Sequence, residues 1–126
     1  MLNFRQFEAG PDPFGRKYQV LLKWMQTAIS IRHSDSVDVK FILQDSESRQ
    51  EKTIALILPD LLALSKARGC AITDPWCCRL AARHLLYLVE TGEDLEKDLV
   101  TAQPRQLERY AAEIGNEEQA EVSAHA

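Results

Sequence analysis

The chain lacks the glycine-rich patterns that mark phosphate and nucleotide sites. Its 126 residues include only five glycines, and none stands between a strand and a helix in a phosphate-cradling arrangement. Gly-x-Ser-x-Gly and His-Glu-x-x-His are also absent, so the sequence offers neither a nucleophile elbow nor a zinc-protease helix. Without these motifs, the sequence does not name a reaction.

Cysteine is scarce, and long apolar runs are missing. The three cysteines, Cys70, Cys77 and Cys78, are odd in number, and two are adjacent, which is not a disulfide framework. Reduced thiols indicate a cytoplasmic protein. The longest apolar stretches, 54–64 and 80–89, contain charged residues and fall short of the roughly 20 residues that span a bilayer. With no signal-peptide pattern at the N-terminus, we expect a soluble protein that has no membrane contact.

Positive charge is not concentrated in any part of the chain. The formal net charge is −4; residues 1–90 hold twelve Lys and Arg against ten Asp and Glu, and residues 91–126 hold three against nine. Nucleic-acid affinity depends largely on neutralising phosphates, so we expect no nucleic-acid partner. The hydrophobic share of 45% is ordinary for a globular domain, and a chain of this length can bury a core without a metal or disulfide.

Alternating apolar residues predict strands in the first half of the chain, on both sides of a loop at 10–15. The alternating segments are 2–7, 18–24, 29–33, 37–43 and 54–58. Their polar links are short, and parallel crossovers need a dozen or more residues, so an antiparallel meander of about four strands is expected. Tyr18, Trp24 and Phe41 lie on apolar strand faces and should pack under the helices.

The period then changes to that of helices. Pro59 and Gly69 bracket a first helix, since proline favours the first turn and glycine the position just past the end. Asp74 is the predicted N-cap of a second helix over 75–90, which Gly92 ends. This pattern predicts an α+β domain with an antiparallel meander followed by about three helices packed on one face.

The last third of the chain is charged and contains one more helix. A connector follows the second helix, with a single helical turn at 95–99. Pro104 starts the last helix, and the Gly115-Asn116 pair ends it. We therefore predict one domain over 1–116 and a mobile acidic tail over 117–126.

The second helix is apolar around most of its circumference. Arg79, Arg83 and Glu90 share one narrow stripe at 100° per residue, and nearly all other positions are apolar. Such a helix is buried on several sides, so it either lies at the centre of the domain or adds a subunit contact. Apolar surface of this kind favours a non-enzymatic interaction or assembly domain, with a homodimer as the commonest form.

A small-molecule-binding protein or enzyme is the alternative. Its pocket would lie between the sheet and helix 75–90, lined by Trp76, Arg79, Arg83 and His84. His84 would act there as a base or ligand, although a hydrogen-bonded core histidine is the commoner role. The two arginines would clamp an anionic group, or they would pair with the acidic segment around 93–96.

No metal or cofactor is predicted. Cys77 and His84 lie about 10 Å apart along a helix axis, whereas zinc ligands must each reach the ion at about 2.0–2.3 Å. His33, Asp35 and Asp38 stand near a predicted hairpin tip. They would form a hydrolytic or divalent-cation site, with Asp35 and Asp38 as ligands and His33 as the base. The alternative is an ordinary polar turn, in which Ser and Asp side chains form hydrogen bonds with the backbone.

Overall fold

A computed structural model describes residues 3–28, 35–94 and 96–125, without the side chains of residues 28 and 119–125. The predicted α+β class is confirmed: the described chain contains five strands and three helices. The strands are β1 (Gln6–Ala9), β2 (Tyr18–Ala28), β3 (Ser36–Gln44), β4 (Arg49–Ile57) and β5 (Leu99–Thr101). The helices are α1 (Leu58–Arg68), α2 (Asp74–Thr91) and α3 (Pro104–His125). The predicted strand at 29–33 lies outside the described residues.

The five strands form one sheet in chain order. Strands β1 to β4 pair antiparallel, as the short polar links predicted. Strand β5 instead pairs parallel with β4, with Val100 opposite Ile54. The predicted helical turn ending at Leu99 is therefore wrong, because Leu99 begins β5. The long connection through α1 and α2 allows the chain to return to the sheet in the same direction as β4.

Strand β3 has one covered and one uncovered face. Its buried residues are Val37, Val39, Phe41 and Leu43, and the positions between them are partly exposed. In β2 a bulge interrupts the alternation: Leu22 pairs with Phe41, but Trp24 pairs with Lys40, so Lys23 is the extra residue. The bulge moves Trp24 to the face opposite Phe41. The expectation that Trp24 packs under the helices is therefore wrong.

The caps of α1 and α2 follow the sequence signals closely. Gly69 and Gly92 close the two helices in the left-handed region, with φ of 64° and 75°. The N-cap of α2 is Thr73 rather than Asp74: the Thr73 side chain accepts a hydrogen bond from the Trp76 backbone N–H at 3.2 Å. Asp74 begins the helix, where a carboxylate favours the positive end of the helix dipole.

Helix α3 does not end at Gly115-Asn116, as the sequence predicted, but continues to His125. A glycine inside a helix costs about 1 kcal/mol relative to alanine. Ion pairs from Glu117 and Glu118 to arginines of α2 lie beyond the glycine and hold this part of α3 against α2. Tertiary contacts therefore override the local end signal.

Helix α2 lies between the sheet and α3. It contacts β1, β3 and β4 on one side and α3 on the other, and α1 packs on β4. Ten of its side chains are buried within this single chain: Trp76, Cys77, Cys78, Leu80, Ala81, Ala82, His84, Leu85, Leu88 and Val89. The apolar circumference of α2 is thus covered by its own domain. None of the helices, over the residues described, is apolar for a long enough stretch to cross a membrane.

Candidate functional site

The arginine stripe of α2 faces acidic residues of α3. Arg79 Nη1 donates to Glu118 Oε1 at 3.2 Å, and Arg83 Nη1 donates to Glu113 Oε2 at 3.2 Å. Arg83 also pairs with Glu117. The two arginines therefore pair with α3, and not with the acidic segment at 93–96 that the sequence offered as their partner. The two arginines lie one turn apart on α2, and their three acidic partners lie within six residues of α3.

His84 lies in the core rather than in an open cleft. Its side chain is 1% exposed, and its Nδ1 lies 2.8 Å from the Tyr110 hydroxyl oxygen. Its ring stacks near Tyr87, with centroids 6.1 Å apart and planes 22° apart. His84 Nε2 is buried and has no hydrogen-bond partner among the described residues. Only one ring nitrogen is therefore satisfied, where the core interpretation expected both.

Burial keeps both members of the His84–Tyr110 pair uncharged at neutral pH. Desolvation lowers the pKa of His84 to about 4, against the smaller opposing effect of Glu93 and Asp94. Desolvation also raises the pKa of Tyr110 to about 12. A neutral, enclosed imidazole is poorly placed to exchange protons with a substrate.

Within the described part of the chain, the structure places the four predicted ligand-binding residues in different surroundings. Trp76 and Arg79 line a cavity of about 290 Å³ between the start of α2 and the middle of α3. Arg83 lines a separate cavity of about 280 Å³, in which Arg109 lies over the Tyr87 ring at 5.1 Å. His84 is enclosed behind Tyr110.

A third depression lies between α1 and α3. It has a volume of about 470 Å³ and an apolar floor that includes Leu64 and Leu107, with Asp60, Arg68 and Glu108 also lining it. The sequence analysis did not identify this groove, because the packing of α1 beside α3 is a tertiary contact.

Cys77 and Cys78 behave as buried apolar residues. Desolvation raises the pKa of the Cys77 thiol to about 11 and raises that of Cys78 as well. The Cys78 Sγ lies 3.7 Å from the Met25 Sδ. Over the described part of the chain, no group of three or more His, Cys, Asp or Glu is arranged to hold a metal ion.

Only part of the predicted hairpin-tip site can be placed. His33 lies outside the described residues. Asp38 Oδ1 accepts a hydrogen bond from the Ser36 hydroxyl at 2.8 Å, and the Asp35 carbonyl accepts one from the Leu58 N–H at 2.8 Å. These contacts are those of a strand end and a helix start.

Lys52 is a buried charge that the sequence analysis overlooked. It pairs with Phe41 on the helix-covered side of the sheet and is 1% exposed. Its Nζ donates to the backbone carbonyls of Asp94 at 2.9 Å and Lys97 at 2.6 Å. Burial lowers the pKa of Lys52, although Asp98 acts in the opposite direction. Lys52 therefore anchors the α2–β5 connector, and the only sequence signal was a lysine in a strand that begins earlier than predicted.

The face of the sheet that carries none of the described helices is the second site of interest. We call it the open face and define it by Leu21, Trp24, Lys40, Ile42 and Glu51. Leu21 pairs with Ile42, and Lys40 Nζ lies 5.4 Å from the Trp24 ring centroid. Glu51 binds Lys40 Nζ at 3.1 Å. Apolar side chains and ion pairs thus alternate across this surface.

Comparisons with protein-family models, curated proteins and solved structures found no match.

Proposed function

We propose that this chain is a non-enzymatic assembly domain that self-associates through the open face of its sheet. The observation that carries the proposal is a β-sheet with its described helices on one side and an aromatic, an isoleucine and a leucine on the other. The apolar surface of α2, on which the sequence hypothesis rested, is covered by its own chain. The contact surface in the proposal is therefore the sheet and not α2.

The apolar residues of the open face are adjacent. Leu21 is 37% exposed and stands opposite Ile42, while Trp24 follows on the same side because of the bulge. Tryptophan is enriched among the residues that dominate binding energy at protein interfaces. Lys40 lies over the ring of the partly exposed Trp24 and supplies a polar rim.

The charges on and around the open face are nearly balanced, which favours a second copy of this chain as the partner. On this side of the strands, Glu8, Asp38 and Glu51 are acidic and Lys23, Lys40 and Arg49 are basic. Lys17, just before β2, adds one more positive charge and pairs with Glu8 at 3.8 Å. A balanced surface neither repels its own copy nor attracts a polyanion. In a two-fold dimer each patch meets the same patch of the partner, so intermixed charges of both signs can pair.

We further propose that the assembly works in a reducing compartment such as the cytoplasm. The free cysteines support this: Cys77 and Cys78 are buried thiols, and Cys70 is partly exposed. An accessible thiol beside buried ones suits a compartment in which thiols stay reduced.

The test compares two exposed leucines on opposite sides of the molecule. Leu21 lies on the open face, and Leu62 is 55% exposed on α1. We expect Leu21→Arg to weaken self-association about tenfold or more, because it places two like charges in a two-fold interface. Leu62→Arg should leave self-association unchanged. Sedimentation equilibrium over a micromolar concentration range measures both.

Two results would overturn the proposal. The first is a wild-type chain that remains monomeric up to its solubility limit. The second is equal weakening of self-association by Leu62→Arg and Leu21→Arg. That result would mean that the contact does not depend on the open face, or that both variants lose stability in general. Circular dichroism of each variant controls for folding.

A further inference from the structure

A cavity at the junction of the three helices contains features that the assembly proposal does not use. It is the cavity of about 290 Å³ that Trp76 and Arg79 line, together with Arg68 from the end of α1 and Glu118 from α3. Two guanidinium groups and one carboxylate give the walls an excess of one positive charge. A cavity near 300 Å³ lies at the small end of the range for ligand pockets.

Arg79 is held in place with hydrogen-bonding capacity to spare. Its guanidinium lies over the Phe4 ring at 5.8 Å, and its Nη1 donates to Glu118 Oε1 at 3.2 Å. Its Nε is enclosed by protein atoms and has no hydrogen-bond partner within the described part of the chain. A ligand in the cavity would therefore bind the Nη atoms of Arg79, which carry the outer edge of the guanidinium.

The second guanidinium reaches the cavity because of a glycine in α3. Arg68 Nη2 lies 3.1 Å from the position that a Cβ on Gly115 would occupy. A larger residue there would press on the arginine. The glycine that misleads the sequence analysis about the end of α3 therefore makes room for Arg68 beside the helix.

The remaining walls are apolar. Trp76, Ala111 and Ile114 line the cavity and are 8%, 3% and 2% exposed. The geometry points to a binding site for a small monocarboxylate with a short apolar or aromatic body, whose carboxylate would bind the arginines and whose body would contact Trp76. Carboxylates match the fork of a guanidinium group.

Glu118 argues for a singly charged ligand. Its carboxylate already neutralises part of Arg79, and it would repel a doubly charged phosphate more strongly than a carboxylate. Glu118 also competes with the ligand for the same guanidinium. Its removal should therefore strengthen binding, whereas a merely structural ion pair would show no such gain.

The experiment uses benzoate as the probe and benzamide as its uncharged counterpart. The chain has two tryptophans, Trp76 in the cavity and Trp24 on the open face, so indole NMR signals report the two surfaces separately. We expect benzoate to shift the Trp76 indole signal and leave that of Trp24 unchanged, and benzamide to shift neither. A Trp24 signal that changes with protein concentration would instead report self-association.

Matched variants test the arginines. Arg79→Gln and Arg68→Gln should each weaken benzoate binding about tenfold, the effect of losing a charged hydrogen bond. Arg83→Gln, one turn further along α2 and outside this cavity, should leave it unchanged. Glu118→Gln should strengthen it.

The proposal is overturned if benzoate leaves the Trp76 signal unshifted, or if benzamide shifts it equally. Equal weakening by Arg79→Gln and Arg83→Gln would also overturn it, as would weaker binding to Glu118→Gln. Arg68 is exposed, so its substitution tests the site even if Arg79→Gln fails to fold.

Discussion

The two faces of the sheet differ in what surrounds them. On the covered face, Val39 and Phe41 of β3 are 0% exposed and pack into the core with helix residues. On the open face, Lys40 and Ile42 of the same strand remain partly exposed. The covered face therefore supplies most of the folding energy. The open face is under weaker packing constraint, which leaves its side chains available for contacts with a partner.

Two lysines on neighbouring strands show how the two faces of the sheet differ in their treatment of a positive charge. Lys52 points into the covered side and donates to backbone carbonyls of the α2–β5 connector. Lys40 points to the open side and lies between Trp24 and Glu51. A buried charge must satisfy its donors within the protein, whereas an exposed one is also hydrated.

The largest expected effect comes from truncating a covered residue. Phe41→Ala should lower the free energy of unfolding by about 3–5 kcal/mol, because it empties a closely packed site and removes the edge contact with Phe7. Ile42→Ala, one residue further on the open face, should cost about 1 kcal/mol or less. Urea unfolding of the two variants at low protein concentration measures the difference. Similar losses for both would mean that the open face is as fully packed as the covered one.

The next effect concerns pH and the buried His84. Its folded pKa of about 4 lies below its ordinary value of 6.5, so below pH 6.5 the unfolded chain binds this proton more readily. The His84 contribution to the free energy of unfolding should therefore fall by about 2 kcal/mol between pH 7 and pH 5. Well above pH 6.5 the imidazole is neutral in both states and contributes no pH dependence.

The control for this prediction is His84→Leu, which has no titrating group at this position. Relative to the wild type, the variant should gain stability as the pH falls from 7 to 5, measured by urea unfolding at each pH. Parallel curves for the two proteins would contradict a buried neutral histidine. Carboxylates titrate equally in both proteins, so their contribution cancels in the comparison.

The smallest effect separates the two lysines. Lys52→Ala should lower the free energy of unfolding by about 1–2 kcal/mol, because the carbonyls of Asp94 and Lys97 lose a charged donor. Hydrogen exchange should rise in the connector at 92–98. Lys40→Ala should change stability by about 0.5 kcal/mol or less. Equal protection of the connector in both variants would show that Lys52 does not anchor it.

Local signals predicted much of the fold. Gly69 and Gly92 mark helix ends because their left-handed backbone favours glycine. The alternation of β3 identifies its covered face because strand side chains point to opposite sides in turn. The same rules failed where a distant contact decided the outcome. Gly115 lies inside α3, and Leu99 begins a strand.

The candidate sites were less predictable than the fold. The apolar circumference of α2 indicated a buried helix but not what covers it, since a partner and the chain's own sheet satisfy the same pattern. Arg79 and Arg83 were identified as one stripe, and both pair with acidic residues of α3, but they line separate cavities. His84 was placed on the apolar arc, whereas Tyr110 as its partner lies 26 residues away.

The sequence by itself determined the class of fold, because side-chain periodicity and capping are properties of neighbouring residues. Only the tertiary structure decided the direction of β5, the position of Trp24 and the partners of the arginines. Those outcomes depend on contacts between residues far apart in the chain, on a bulge that shifts one strand by a residue, and on the free energy gained by burying α2 among its own elements.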